Sequence, residues 1–300
     1  MNAAGGARGE RVLARLRARV EAVEDRLAEA RRGAAGPAAP GGILDGEAVH
    51  AIRVHCKVLR AGWHLLAPAL GTTVAREPER ALRDAARSLR ADREARVLRD
   101  TLIRVVKRQA RAGETDALER LMEEIRTRHP TAGESVPVPP TLAATFLAQR
   151  EALAAVTDPL PLDALREGLL ESYRRARRFG RRADGGGGRA DEAWHRCRRW
   201  VKYELYQRDL LARDETDRGR RRRRLDRLGR ELGRFQDLCD LRALVRTAEE
   251  ALAATGALET VTTVLGREDR QLRRRMTRHF RALYRRGPAA QRRQLLRRLS

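Results

Sequence analysis

Lysine is almost missing from this chain of 300 residues: Lys57, Lys107 and Lys202 are the three present, leaving 62 of the 65 basic residues as arginine. Aromatic residues are scarce too, at 4%, which leaves little for a platform on which bases stack. The four serines, Ser88, Ser135, Ser172 and Ser300, lie outside any nucleophile-elbow pattern, and no HExxH or dinucleotide fingerprint occurs. Gly185 to Gly188 reads as a flexible loop, because no Lys-Ser/Thr follows and no strand pattern precedes it. Cys56, Cys197 and Cys239 form no CxxC pair, so they suit buried thiols in a reducing compartment rather than a disulfide framework or a metal cluster. With no apolar signal-peptide core and no uncharged apolar run of about 18 residues, the expected location is cytoplasmic, without a membrane partner. These absences leave no catalytic residue, cofactor or metal to expect, and the chain reads as a protein that is not an enzyme.

What is present is helix-forming material and positive charge. Leu, Ala, Arg and Glu dominate, β-branched runs are few, and 42% apolar residues suffice for a core, so the expected fold is all-α. A net charge of +24 and a pI near 11.4 point to an anionic partner: nucleic acid, a phosphate polymer or a membrane surface. An arginine excess of this kind also follows from a GC-rich genome, so placement of the charge says more than its total.

The placement is distinctive from Val49 to Leu66. Val49, Ile52, Cys56, Leu59, Trp63 and Leu66 alternate at spacings of three and four, a seam for helix packing. One residue along, His50, Arg53, Lys57, Arg60 and His64 repeat that spacing on the adjoining face, a cationic ladder about 20 Å long on a helix. Like charges one turn apart destabilise a helix by a few tenths of a kcal/mol per pair unless an anion lies along them. The idea recurs between Trp194 and Tyr206. Setting His195 on His50 places Arg198 on Arg53 and Lys202 on Lys57, so two of the three lysines occupy one aligned position.

In chain order, residues 8–32 read as an amphipathic helix with Val12, Leu16, Val20, Val23 and Leu27 as its seam, preceded by a disordered N-terminus over 1–7. Asp45 caps the first ladder helix, which Pro68 and Gly71 close. A long helix is expected from Glu77 to Ala112, another over 115–128, a linker from Pro130 to Pro140, and a helix over 141–157. The second half restarts at Leu162, with the second ladder helix over 191–213, a long helix over 216–255, and helices over 258–286 and 289–299. Leu89, Arg93 and Glu94 match Leu232, Gln236 and Asp237 at nearly the offset of the two histidines. The expectation is a duplication of about 145 residues, giving helical bundles over 8–158 and 159–300 related by a pseudo-twofold. Glu94 and Asp237 read as partners that hold nearby basic side chains, the other reading being a general base in an enzyme that acts on polyphosphate or a phosphoester. His55, His129 and His279 look incidental, His64 stands at even odds, and the Arg220 to Arg224 run reads equally well as a solvated helix start.

The two histidine motifs resemble those of the CHAD family, the conserved-histidine α-helical domain. Its first pattern, His-x-x-Arg-Val-x-x-Arg/Lys-x-x-Arg, is matched by His50, Arg53, Val54, Lys57 and Arg60. Its second, His-x-x-Arg-Lys-x-x-Lys with a late Arg-Tyr, is matched by His195, Arg198, Arg199, Lys202 and Tyr206, with Leu205 in place of the late Arg. Two later segments resemble Arg93 to Val97, with Arg90 and Glu94 as departures, and Leu232 to Asp237. The resemblance implies two pseudo-symmetric four-helix bundles facing a basic central channel. It also implies binding of inorganic polyphosphate, with association with polyphosphate granules. On that basis the expected binding residues are His50, Arg53, Lys57, Arg60, His195, Arg198, Arg199 and Lys202, supported by Arg93 and Arg96. The alternative is a basic helical protein that holds nucleic acid without sequence preference.

Overall fold

The computed structural model describes residues 3–33, 42–89, 93–129, 135–213 and 219–298. Among them the chain is all-α, with twelve helices and a single pair of short strands. The first half holds α1 (Ala3–Arg32), β1 (Ile43–Asp45), α2 (Gly46–Leu70), α3 (Thr72–Ser88), α4 (Arg93–Gln109), α5 (Thr115–Arg128), β2 (Ser135–Pro137) and α6 (Pro140–Ala154). The second holds α7 (Leu162–Asp184), α8 (Ala190–Leu211), α9 (Arg220–Thr247), α10 (Glu249–Ala254), α11 (Leu258–Tyr284) and α12 (Pro288–Arg298).

The apolar periodicities become buried faces. Every seam residue of α2, from Val49 to Leu66, is at most 6% exposed, and every seam residue of α1 at most 3%. Burying one such side chain contributes about 1.5–3 kcal/mol. Asp45 caps α2 as expected, its carboxylate accepting from the Ala48 amide at 2.7 Å. Pro68 sits inside the last turn, and Gly71, at φ 91°, ends the helix there.

Four expectations change. Residues 3–7, read as disordered, are helical in α1, the Gly5-Gly6 pair included; residues 1–2 lie outside the described part. The helix expected from Glu77 to Ala112 is two helices, α3 and α4, with α3 ending at Ser88 and capped by Leu89. The one expected over 216–255 is divided at Ala248 between α9 and α10. The Pro-rich linker carries β2, which pairs antiparallel with β1 through Leu44↔Val136. Proline favours extended backbone in its neighbours, and Leu44, 1% exposed, anchors the pair to the core.

Neighbour relations follow a simple order. In the first half α1 packs on α2, α2 on α3, α3 on α6, and α6 back on α1. In the second, α7 packs on α8, α8 on α9, α9 on α11, and α11 back on α7. The halves meet where α1 and α2 lie against α7 and α8, while α4 reaches over to α9 and α11. The buried apolar side chains of both halves form one contiguous cluster. Two of its polar groups are partnered across helices: Trp63 Nε1 donates to Gln149 Oε1 at 2.7 Å, and Gln149 Nε2 to the Pro78 carbonyl at 3.2 Å.

Candidate functional site

Each cationic ladder runs along the seam between its own helix and the helix that follows it around the ring. On α8 the ladder lies across α9 in antiparallel register. His195 Nδ1 is 2.6 Å from Gln236 Oε1. The Gln236 amide donates to the Asp240 carboxylate at 3.0 Å, which fixes its orientation, so its carbonyl faces His195 and Nδ1 carries the proton. Arg198 lies over Gly233, where an added Cβ would be 3.7 Å from its Nε and Nη2. Lys202 lies over Gly229, where an added Cβ would come within 2.9 Å of its Cε. Two glycines one turn apart thus make a shallow track that lets long cationic side chains rest on α9. Burial pulls the Lys202 pKa below the usual lysine value; Asp226, 4.0 Å away, opposes this, and Arg198, Arg230 and Arg222 add to it. Arg199 is exposed beside this ladder.

The ladder of α2 is tied to α3 in the same antiparallel sense. Arg53 Nη1 donates to the carbonyls of Ala86 and Leu89, the latter at 3.1 Å, and so closes the C-terminus of α3. Arg60 is paired with Glu79, by Nε at 2.8 Å and Nη2 at 2.6 Å, with both side chains 14% exposed. Burial acts to raise the Glu79 pKa, but Arg60 holds it below the usual carboxylate range. His50 is exposed and Lys57 half-buried on the same face. Arg96 is exposed on α4, with Nη1 3.4 Å from where a Cβ at Gly46 would stand, so it reaches the start of the first ladder. Arg93 opens α4, but its side chain and that of Glu94 lie outside the described part.

The structure brings most of the expected residues onto these two seams and gives several of them protein partners as well. Sequence reasoning missed Glu79, which neutralises a rung; it carries no local signal, sitting on the next helix. Gln236 was visible in the Leu232 to Asp237 segment but without a role. Asp237 does hold a basic side chain, Arg104 of α4, at 3.3 Å.

His64 resolves as a packing residue. It lies against Trp200 and Tyr203 of α8 at ring separations of 5.1 and 5.0 Å. Burial lowers its pKa to about 4, with Glu79 opposing and Arg175, Arg60 and Arg199 adding to the effect. His55 is likewise pushed down to about 4 by burial and by Arg19 and Arg26. Burial keeps the thiols protonated, raising Cys56 and Cys239 to about 12 and pushing Cys197 up as well. Among the described residues no cluster of His, Cys, Asp and Glu could hold a metal, and no helix is long and apolar enough to cross a membrane.

Of the eleven aromatic side chains, nine are buried and Phe179 and Tyr206 are half-buried. The surface therefore offers guanidinium, ammonium and imidazole groups without a stacking platform. No curated protein and no solved structure matches the chain. A family model does: that of the CHAD domain, over residues 14–246, from the seam of α1 into the last turn of α9. With most of its length matched, and both histidine ladders inside the match, the chain belongs to the CHAD domain family.

Proposed function

We propose that the protein binds inorganic polyphosphate along the two ladders, through His50, Arg53, Lys57, Arg60, His195, Arg198, Arg199 and Lys202, with Arg93 and Arg96 in support. CHAD domains are generally non-catalytic, and polyphosphate binding is their known general role. The observation that carries the reading here is a pair of cationic ladders on a surface without an exposed aromatic ring. A phosphate polymer has no base to stack and no groove to read, so its receptor needs cations at regular spacing. Single-stranded nucleic acid calls for aromatic platforms, which are missing. Burial lowers the Lys202 pKa, and Arg198, Arg230 and Arg222 add to it; that added positive charge is what an anion would relieve.

The same reading extends to architecture. The rings α1–α2–α3–α6 and α7–α8–α9–α11 are two four-helix bundles derived by duplication, covering about residues 8–158 and 159–300, with α4 and α5 inserted in the first. Two parallels support this. Arg53 touches Ala86 and Leu89 as Arg198 lies over Gly233, and the contacts of α1 and α2 with α7 and α8 are reciprocal. The ladders then face a shared basic channel, and the protein works in the cytoplasm at polyphosphate granules.

The test is competition between labelled long-chain polyphosphate and duplex DNA of equal phosphate content at about 150 mM salt, where the Debye length is ~8 Å. Polyphosphate should win by at least roughly a hundredfold, and its affinity should rise as the pH falls through the imidazole range near ~6.5. Equal competition would mean that the charge acts as an undifferentiated cloud and would end the proposal.

A further inference from the structure

The five-arginine run at the start of α9 does not stay together in space. Arg222 turns toward α8 and pairs with Asp209 at 2.6 and 3.1 Å. Arg221 turns inward. Its Nε donates to Glu204 at 2.8 Å and its Nη1 to the Leu283 carbonyl at 3.0 Å, while its ring contacts are Tyr173 and Tyr284 at 5.2 and 5.5 Å. Glu204 is fully buried and already shared with Arg208 at 3.1 Å, so one carboxylate stands against two guanidinium groups. Arg220 and Arg224 meet Arg285 and Arg286 from the α11–α12 corner.

Together with Gln294, these four and Arg221 line a cavity of about 410 Å³. No carboxylate lines it, and no aromatic ring does. Among the described residues Arg220, Arg224 and Arg285 have no carboxylate partner, Arg286 donates to the neutral Gln294 at 2.9 Å, and Arg221 Nη2 is buried without a hydrogen-bond partner. Asp214, Glu215 and Asp217 precede α9 in sequence but lie outside the described residues. The first turn of α9 has no acidic residue and no side-chain cap, so cations stack against the positive end of its dipole.

We infer that this cavity is a second anion site, distinct from the ladders, which takes a compact anion of two or three linked phosphate groups without a nucleobase. The separation is geometric. Along α9, Asp226, Gly229, Gly233 and Gln236 face the α8 ladder, and at 100° per residue Arg220 and Arg224 project about 160° away from that face. Several guanidinium forks converging on one open cavity suit adjacent phosphates, each able to accept paired N–H groups. The absence of an aromatic lining leaves a base or sugar ring nothing to stack on. The inference does not depend on the ladders binding polyphosphate.

The experiment is calorimetric titration of the full chain with inorganic tripolyphosphate at about 150 mM salt. Two double variants accompany it, Arg224→Gln/Arg285→Gln in the cavity and Lys57→Gln/Arg199→Gln on the ladders. Arg224 and Arg285 are exposed and hold no carboxylate partner among the described residues, so their replacement leaves the fold intact. The expected result is a site of unit stoichiometry in the wild type, weakened roughly tenfold or more by the cavity pair and unchanged by the ladder pair. Absence of binding in the wild type, unchanged binding in the cavity pair, or equal losses in both pairs would overturn the inference. Loss of long-chain polyphosphate binding in the ladder pair alone reports on the ladders and leaves the cavity untouched.

Discussion

Arg53 is where ligand and scaffold are hardest to separate, and Arg53→Met isolates its structural share. The guanidinium donates charge-assisted hydrogen bonds to the carbonyls of Ala86 and Leu89, which no longer have helical partners as α3 ends. Bonds to a charged donor contribute about 1.5–3 kcal/mol each. Because α3 can fray and let water reach these carbonyls, the expected loss is below the full sum, about 2–4 kcal/mol. In a chain of this size that lowers the melting temperature by roughly 5–10 °C. The assay is thermal unfolding followed by circular dichroism at 222 nm, at about neutral pH, beside Arg199→Gln. Arg199 is exposed, so its replacement should leave the melting temperature unchanged and weaken polyphosphate binding roughly tenfold. If Arg53→Met melted within about 1 °C of wild type while polyphosphate binding disappeared, the cap assignment would be wrong and Arg53 would be a ligand alone.

Two further outcomes follow from the same geometry. Glu79→Gln removes the counter-charge of Arg60, a pair with both side chains 14% exposed; stability should fall by about 1–3 kcal/mol and polyphosphate affinity should rise roughly fivefold, whereas a fall in affinity would mean that Glu79 positions Arg60 for binding. Acid should destabilise the fold through His55 and His64, whose folded pKa of about 4 lies below the ordinary histidine value. The folded state then binds fewer protons between the two values, so stability is full above ~6.5 and is lost as the pH falls toward 4, by about 3 kcal/mol for His55. His55→Leu should flatten the pH dependence of the melting temperature over that window, and an unchanged slope would show that other groups carry it.

Much of the fold was legible in one dimension. The seams of α1 and α2, the Asp45 cap and the Gly71 stop were readable because periodicity and cap chemistry act within a few residues. The ladders were readable for the same reason: spacing alone puts His50, Arg53, Lys57 and Arg60 on one face. The break between α3 and α4 was not, because no Gly or Pro marks Ser88 and Leu89. A guanidinium 36 residues away in sequence takes the carbonyl of Leu89 there. Residues 3–7 differ from the expectation because a small stretch with Gly5 and Gly6 in it offers no apolar seam to read.

The sequence by itself determined that this chain is helical, strongly basic and twice marked by the same cationic stripe, since each of these is a property of composition or of spacing along one helix. Only the tertiary structure decided which cations have counter-charges. Arg60 meets Glu79, Lys202 meets Asp226 and Arg221 meets Glu204, while Arg220, Arg224 and Arg285 converge on a cavity with no carboxylate in its lining. The physical reason is that a charge is neutralised by what lies within a few ångströms of it, and in a packed set of helices those neighbours come from elements far apart in the chain.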